Sequence, residues 1–354
     1  GQSAAGGCKL LFPLCECLEN RQQQYKTSCF SHEDTEGTKV NAITPVIISA
    51  SRSTDIPAFY ADWLTRRVRQ GYVKWTNPFN GVPLHVSFER ARLFVFWSKN
   101  PAPMIEKLKF FDDRGLNYYF QFTLNAYDSE GFEPGVPEIG RRLETFITLS
   151  RRIGRERVIW RFDPLLLTDK LSVADLLEKC KRVGDTLAPH TSRLVFSFAD
   201  ITAYAKVARN LSRAGINARE FCPEEMHEFA AGIAGLNKGW GLRLATCAEA
   251  VDLESYGIGH NRCIDDRLMI ELFPNDQELM AFLGYQPDLF ADQSRPYLKD
   301  KGQRKACGCI VSKDIGMYDT CPHLCAYCYA NTSRKAVENN VAKHDPGAEA
   351  LAPR

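Results

Sequence analysis

Val158-Ile-Trp-Arg-Phe162, followed by Asp163-Pro164, is the stretch from which the fold can be argued. Its β-branched and aromatic residues favour an extended chain, and a near-continuous apolar run fits a strand buried on both faces. An arginine inside such a run needs a buried partner or a ligand, so Arg161 carries more than packing. Six further runs are built the same way: Val46-Ile-Ile-Ser-Ala50, Leu84-His-Val-Ser-Phe88, Leu93-Phe-Val-Phe-Trp97, Tyr118-Tyr-Phe-Gln-Phe-Thr123, Leu194-Val-Phe-Ser-Phe198 and Leu242-Arg-Leu-Ala-Thr246. Stretches of helical period separate most of them. Pro57 suits the first turn of a helix running to about Gln70, and Ser172 with Asp175 resembles a capping box. In the helix that follows, Leu176, Leu177, Cys180, Val183 and Leu187 recur at helical spacing, which makes Cys180 a core residue. Strands alternating with helices predict a parallel sheet. The expected fold class is α/β, a full or partial (β/α) barrel of the TIM type rather than an open doubly wound sheet.

The residues just past these runs are polar: Ser51-Arg52-Ser53-Thr54-Asp55, Ser98-Lys99-Asn100, Asn125, Asp163, Asp200 and Cys247. Parallel strands bring their C-terminal ends to one rim, where barrel enzymes hold their chemistry. Turns are polar in any protein, which accounts for part of the pattern. It does not account for Arg161 and Gln121, which lie inside the runs.

The 354 residues suffice for one large core, and a net charge of +2 gives no whole-molecule attraction to nucleic acid or anionic lipid. With 44% hydrophobic and 25% charged residues, a largely disordered or fibrous chain is excluded. No apolar run approaches the roughly 18 residues of a membrane span. Gly1-Gln-Ser-Ala-Ala-Gly-Gly7 lacks an initiator Met and reads as an expression remnant, and the stretch after it is not built like a signal peptide, so a cytoplasmic setting is expected. Residues 1–44 lack sustained periodicity and are expected as an N-terminal extension, 45–260 as the barrel core, 261–335 as a cysteine-rich segment and 336–354 as a tail. Arg141, Arg142, Arg151, Arg152, Arg155 and Arg157 flank an apolar helix face and are expected to be solvated, with a phosphate-contacting surface as the competing reading.

Thirteen cysteines are an odd and high number, and disulfides are the wrong explanation in a reducing compartment. Cys15-Glu-Cys17 is a weak metal pair, and Cys222 before Pro223 is expected to be structural. The informative group is Cys321-Pro-His-Leu-Cys325-Ala-Tyr-Cys328, three thiolates close enough to converge on one inorganic centre, with the thiolate preference of iron-sulfur clusters. A structural zinc site that adds His323 competes, although His323 lies between two of the ligands. Cys247, Cys263, Cys307 and Cys309 make a further complete set for a second cluster or for zinc, and Gly308 gives Cys307 and Cys309 backbone freedom to turn both sulfurs inward.

The C-x-x-x-C-x-x-C triplet, with an aromatic residue before its last cysteine, resembles the signature of the radical S-adenosylmethionine superfamily. The string from Cys307 to Asn331, with Ser49-Ala-Ser-Arg-Ser-Thr-Asp-Ile-Pro57, Phe96-Trp-Ser-Lys-Asn-Pro101 and Val158-Ile-Trp-Arg-Phe-Asp-Pro164, resembles a bacterial family filed as a domain of unknown function, over roughly residues 44–331. The superfamily resemblance implies a barrel in which Cys321, Cys325 and Cys328 hold a [4Fe-4S] cluster whose open iron takes the amino and carboxylate groups of S-adenosylmethionine, with Tyr327 beside the adenine. It implies one-electron cleavage of the sulfonium to methionine and a 5′-deoxyadenosyl radical. In the superfamily the triplet follows the first strand. Here it follows all the candidate strands, so a retained fold requires a rearranged barrel whose C-terminal loop returns to the rim. No Gly-Gly-Glu or glycine-rich strand motif follows, so the nucleoside contacts come from chemistry: Lys99, Arg52 and Arg161 as cations, Asn125, Asp163 and Ser98 as acceptors, Asp55 and Asp163 as weak candidates for moving protons.

The expected function is therefore that of a radical S-adenosylmethionine enzyme served by a low-potential donor such as flavodoxin or ferredoxin. Near-neutral charge argues against a nucleic-acid substrate, and no recognisable peptide-recognition module supports a peptide, which leaves a small molecule. A non-catalytic iron-sulfur or zinc protein and transfer of the aminocarboxypropyl group are the competing expectations.

Overall fold

A computed structural model of the protein describes residues 30–33, 39–286 and 298–352. Cys8, Cys15, Cys17 and Cys29 lie outside them. Eight strands form one sheet: β1 Ile47–Ala50, β2 Leu93–Ser98, β3 Asn117–Thr123, β4 Val158–Leu165, β5 Arg193–Phe198, β6 Arg243–Thr246, β7 Ile258–His260 and β8 Lys313–Asp314. Its order is β7-β6-β5-β4-β3-β2-β1-β8, and every neighbouring pair is parallel. The order follows the chain from β1 to β7, and the last strand adds beside the first.

The sheet is buried on both faces, as its apolar runs require. In β2, Phe94 and Phe96 join the cluster under the helices Ala61–Gln70, Ile139–Ile153 and Val173–Leu187, while Leu93 and Val95 join a second cluster with Tyr119, Ile159 and Val195. This two-residue alternation is the pleat itself. Two residues further along the second face the apolar layer gives way to Trp97, Gln121, Arg161 and Ser197, so the sheet changes from core to site within one side-chain step.

Six of the seven expected runs are strands of this sheet, and the seventh is not. Within Leu84–Phe88, the strand Pro83–Ser87 pairs antiparallel with Tyr72–Thr76 and parallel with Lys39–Ile43, in a side sheet that also holds Phe30–Glu33. Pro83 is exposed and only the last two residues of that strand are buried, so it lacks the two-sided burial of a central strand. The strands that complete the eight, Ile258–His260 and Lys313–Asp314, are too short for periodicity to register.

Local signals at the helices are realised. Asp55 caps Ile56–Phe59 by accepting from the Ala58 amide at 3.0 Å. Ser172 and Asp175 form the capping box, and Cys180 is buried in the core. The basic run is not uniformly solvated: Arg142 is 1% exposed, drawn inward by the Asn125 carbonyl at 2.9 Å and by Asp128. No described helix is long and apolar enough to cross a membrane.

Trp160 is fully buried in β4, donates to the Leu124 carbonyl at 3.1 Å and meets the Trp240 ring edge-on at 6.1 Å. Trp160→Ala leaves a ring-sized cavity and an unpaired carbonyl, and is expected to cost about 3–5 kcal/mol in urea unfolding followed by circular dichroism.

Candidate functional site

A cavity of about 370 Å³ opens where the sheet strands end. Its wall takes Ser51 and Arg52 past β1, Trp97 and Ser98 from β2, Thr123 from β3, Asp163 from β4, Ser197 from β5 and Cys247 past β6. Both cysteine sets, Cys321, Cys325 and Cys328 and also Cys247, Cys263, Cys307 and Cys309, line the same cavity. Of the polar residues expected at the rim, Ser51 to Asp55, Ser98, Lys99, Asp163 and Asp200 are thus gathered with the cysteines, whereas Asn100, Asn125 and Arg161 are not among the lining residues.

The 321–328 loop has no regular secondary structure, and its shape is imposed by contacts. The Ala326 amide donates to the Phe132 carbonyl at 2.8 Å, and the Gly135 amide to the His323 carbonyl at 2.9 Å. A Cβ on Gly135 would lie 2.2 Å from the Pro322 carbonyl oxygen, so only glycine permits this approach. Asn331 Nδ2 holds the Cys321 carbonyl at 2.9 Å, Asn210 Nδ2 the Cys328 carbonyl at 3.0 Å, and the Tyr60 hydroxyl the Thr320 carbonyl at 2.5 Å. Buried His323 has Nε2 at 2.8 Å from Asp55 and Nδ1 at 3.0 Å from the Gly135 carbonyl. Both ring nitrogens are engaged, so in this arrangement His323 positions the loop and is not a ligand.

A network of buried polar groups stands beside Cys325. Lys99 Nζ contacts Glu133 at 2.7 Å and the Tyr327 hydroxyl at 3.0 Å, and Asn125 Nδ2 donates to the same hydroxyl at 2.9 Å, which itself donates to Glu133. Burial alone would raise the Glu133 carboxyl, but Lys99 and Arg142 outweigh it and hold it below the usual range. Burial likewise opposes the charge on Lys99, and Glu133 with the Cys325 sulfur raises it. Asn125 also accepts from the Asp163 amide at 2.8 Å, so its amide is fully used in holding the β3 and β4 ends together. Asp55 serves Ala58, the Lys99 amide at 2.7 Å and His323, which makes it a structural hub. Ser98 Oγ takes the Asn100 amide at 3.0 Å.

Arg161 finds the partners its burial demands: Gln121 at 3.1 Å, the Cys263 sulfur at 3.0 Å and the Asp163 carboxylate. Burial pushes the Asp163 carboxyl up, but Arg161 and the Ser197 hydroxyl outweigh it and keep it low, so it is an ionised acceptor rather than a proton donor at neutral pH. Arg52 and Arg161 each lie over the Trp97 ring, at 5.1 and 5.2 Å from its centroid. Arg52 Nη2, Trp97 Nε1 and Thr54 Oγ1 are buried without a hydrogen-bond partner, and all three residues line the cavity. Unpaired buried donors point to a polar occupant.

The donor chemistry of the first set fits an iron-sulfur cluster. Burial, followed by Asp55 and Cys328, pushes the Cys321 thiol up to about 12, and burial also raises Cys325 and Cys328. A metal bound there would have to displace these protons. Cys328 Sγ accepts the Ala330 and Asn331 amides at 3.3 and 3.4 Å, the kind of N–H contact that supports a ligating thiolate. Among the described residues, no three His, Cys, Asp or Glu side chains stand in the geometry of a single-ion site.

A family model described as "Domain of unknown function (DUF1848)" matches residues 47–330. The chain belongs to the DUF1848 family. The matched span runs from β1 through the cysteine loop, so sheet and site fall inside the family domain. No curated protein matches the chain. Among solved structures, a chain of Bacteroides thetaiotaomicron whose title proposes it as an alpha-L-fucosidase is 11% identical, with a TM-score of 0.24 over 55% of this chain and 74% of that one. Likeness at that level carries no argument.

Glu133, Ser197 and the Tyr204 and Tyr329 pair at the mouth escape sequence reasoning, and His323, read there only as a competing zinc ligand, is found instead as the partner of Asp55. Glu133 sits in an irregular loop where no period marks it, and only the need of Lys99 and Arg142 for a counter-ion signals it. Glu249 beside the cavity is 7% exposed and accepts the Phe198 amide at 3.0 Å, and burial followed by nearby Asp200 pushes its carboxyl up to about 8. An unfolded glutamate ionises near 4.3. Between those values the folded state therefore binds the extra proton, and this group makes stability fall as pH rises. Urea midpoints measured from pH 5 to 8 are expected to show that decline, and Glu249→Gln to flatten it.

Proposed function

We propose that this protein is a radical S-adenosylmethionine enzyme with a small-molecule substrate, and that its eight parallel strands close as a rearranged (β/α) barrel. Support for closure comes from the two edge strands: the Ile310 amide, just before β8, donates at 3.1 Å to the carbonyl of Ile264, just after β7. The observation that carries the functional reading is the position of Cys321, Cys325 and Cys328. They come from the C-terminal part of the chain and stand at the strand-end cavity beside Lys99, Tyr327 and Asp163. A structural metal knob would need no such polar cavity.

When bound, a [4Fe-4S] cluster supplies the electron that splits S-adenosylmethionine to methionine and a 5′-deoxyadenosyl radical. The chain's own residues hold and orient the reactants. Cys321, Cys325 and Cys328 bind the cluster. Lys99, the cation beside Cys325, attracts a carboxylate while Glu133 holds its ammonium in place. Ionised Asp163 and Ser197 accept from hydroxyls, and Trp97 and Tyr327 give apolar walls that exclude water. Flavodoxin or ferredoxin is the class of electron donor this chemistry needs.

Anaerobic reconstitution with iron and sulfide, followed by dithionite and S-adenosylmethionine, is expected to release 5′-deoxyadenosine from the wild type and none from Cys325→Ala. Glu133→Gln is expected to slow release about tenfold, about 1.4 kcal/mol, by loosening Lys99. Methylthioadenosine in place of 5′-deoxyadenosine would replace hydrogen abstraction by aminocarboxypropyl transfer. Absence of cleavage by iron-loaded wild type would sink the enzyme reading.

A further inference from the structure

We infer that Cys247, Cys263, Cys307 and Cys309 hold a second iron-sulfur cluster lining the same cavity. This set shares no cysteine with the first and stands or falls separately from the function proposed above.

Three chain segments deliver the four sulfurs: the end of β6, the end of β7, and residues 307–309 before β8. Cys247 Sγ and Cys263 Sγ are 3.4 Å apart. Cys309 Sγ accepts the amides of Cys263 and Ile264 at 3.2 and 3.4 Å, which brings the third sulfur to the same spot, and Cys307 lies two residues before it in the same segment and lines the same cavity. Gly308 lets the two join: a Cβ there would lie 2.9 Å from Arg262 Cγ. Cys263, Cys307 and Cys309 are nearly fully buried, and all four are free thiols.

Charge supplies the independent observation. Arg161 donates to Cys263 Sγ at 3.0 Å, and Asn261 Nδ2 does so at 3.2 Å. Arg52 lies over the same Trp97 ring at 5.1 Å with a buried Nη2 that has no hydrogen-bond partner, and although burial opposes its charge, Cys309 and Asp314 favour it. Two guanidinium groups thus bring positive charge to the sulfurs, Arg161 shared with Asp163 and Arg52 with an Nη2 that no protein group meets, and buried cations favour negative charge beside them. Four thiolates on an iron-sulfur core provide that charge, and Cys₄ ligation is the usual holding set. A single zinc ion fits less well, because among the described residues no three such side chains stand in the geometry of a single-ion site, and structural zinc sites are closed, whereas this set lines the open cavity that the first set also lines.

The full chain is reconstituted anaerobically as wild type, as the Cys321→Ala/Cys325→Ala/Cys328→Ala variant and as the Cys263→Ala/Cys309→Ala variant. Iron, acid-labile sulfide and zinc are counted per chain, and reduced samples are examined by electron paramagnetic resonance. About eight irons are expected in the wild type and about four in each variant. The triple variant should keep a reduced-cluster signal that S-adenosylmethionine does not perturb, and Arg52→Gln in that background should lower the cluster's midpoint potential by removing a positive charge. Four irons in the wild type that the triple variant loses completely would overturn the proposal. So would one zinc without sulfide in the triple variant, or a Cys247–Cys263 disulfide in the loaded wild type. Should the double variant not fold, Cys307→Ser replaces it, and retention of eight irons by that variant would equally count against Cys307 as a ligand. Four irons in the wild type, all of them kept in the triple variant, would overturn the radical-enzyme reading and leave the second cluster standing.

Discussion

Lys99, Arg52, Arg142 and Arg161 are drawn into the mouth of a parallel sheet, and the requirement that each be neutralised there organises the site. Water cannot solvate a guanidinium that is 1% exposed, as Arg142 and Arg161 are, so protein groups must. Glu133 answers Lys99 and Arg142 together, with the latter at 3.5 Å, and Asp163 answers Arg161. Those two carboxylates are held ionised by the cations they serve, and the low local dielectric makes each pairing strong and each omission expensive. Arg52 is the exception, with a buried nitrogen that no protein group meets.

The same constraint shapes the cysteine loop. A segment without helix or strand cannot pay for its own order through a regular hydrogen-bond ladder, so it borrows partners from the rim. Tyr327 is locked by Lys99, Asn125 and Glu133, His323 by Asp55, and the Cys328 carbonyl by Asn210. Removal of a rim charge therefore disturbs the cysteines as well as the cavity, because electrostatics and loop geometry share atoms. Leu324 takes a left-handed backbone at φ +52° within this loop, a conformation that such surrounding contacts sustain.

Much of the scaffold was legible in the chain. The runs around Ile47, Leu93, Tyr118, Val158, Leu194 and Leu244 announce buried parallel strands because continuous β-branched and aromatic residues suit little else, and polar residues at their ends mark the rim. The Leu84 run misleads because composition alone does not distinguish a strand buried on two faces from one at the side of the molecule. The two- and three-residue strands at Lys313 and Ile258 leave no trace, since periodicity needs length. Within the site, the seven cysteines and Arg52, Lys99, Asn125, Arg161 and Asp163 announce themselves by type and place. Glu133 and Ser197 do not, and His323 announces itself only as a metal ligand rather than as the partner of Asp55, since each acts through a partner distant in the chain.

What the order of residues settles is local: which segments extend or coil, which strand ends are polar, and that three thiols fall within one eight-residue loop. That this loop, from the far end of the chain, faces β1 to β5, and that Cys247 meets Cys263 while Cys307 and Cys309 close in from a third segment, is a matter of three-dimensional contact. The physical reason is that hydrogen bonds and charge pairing act over a few ångströms in space, whereas the residues that make them here, such as Asp55 and His323, are separated by 268 positions.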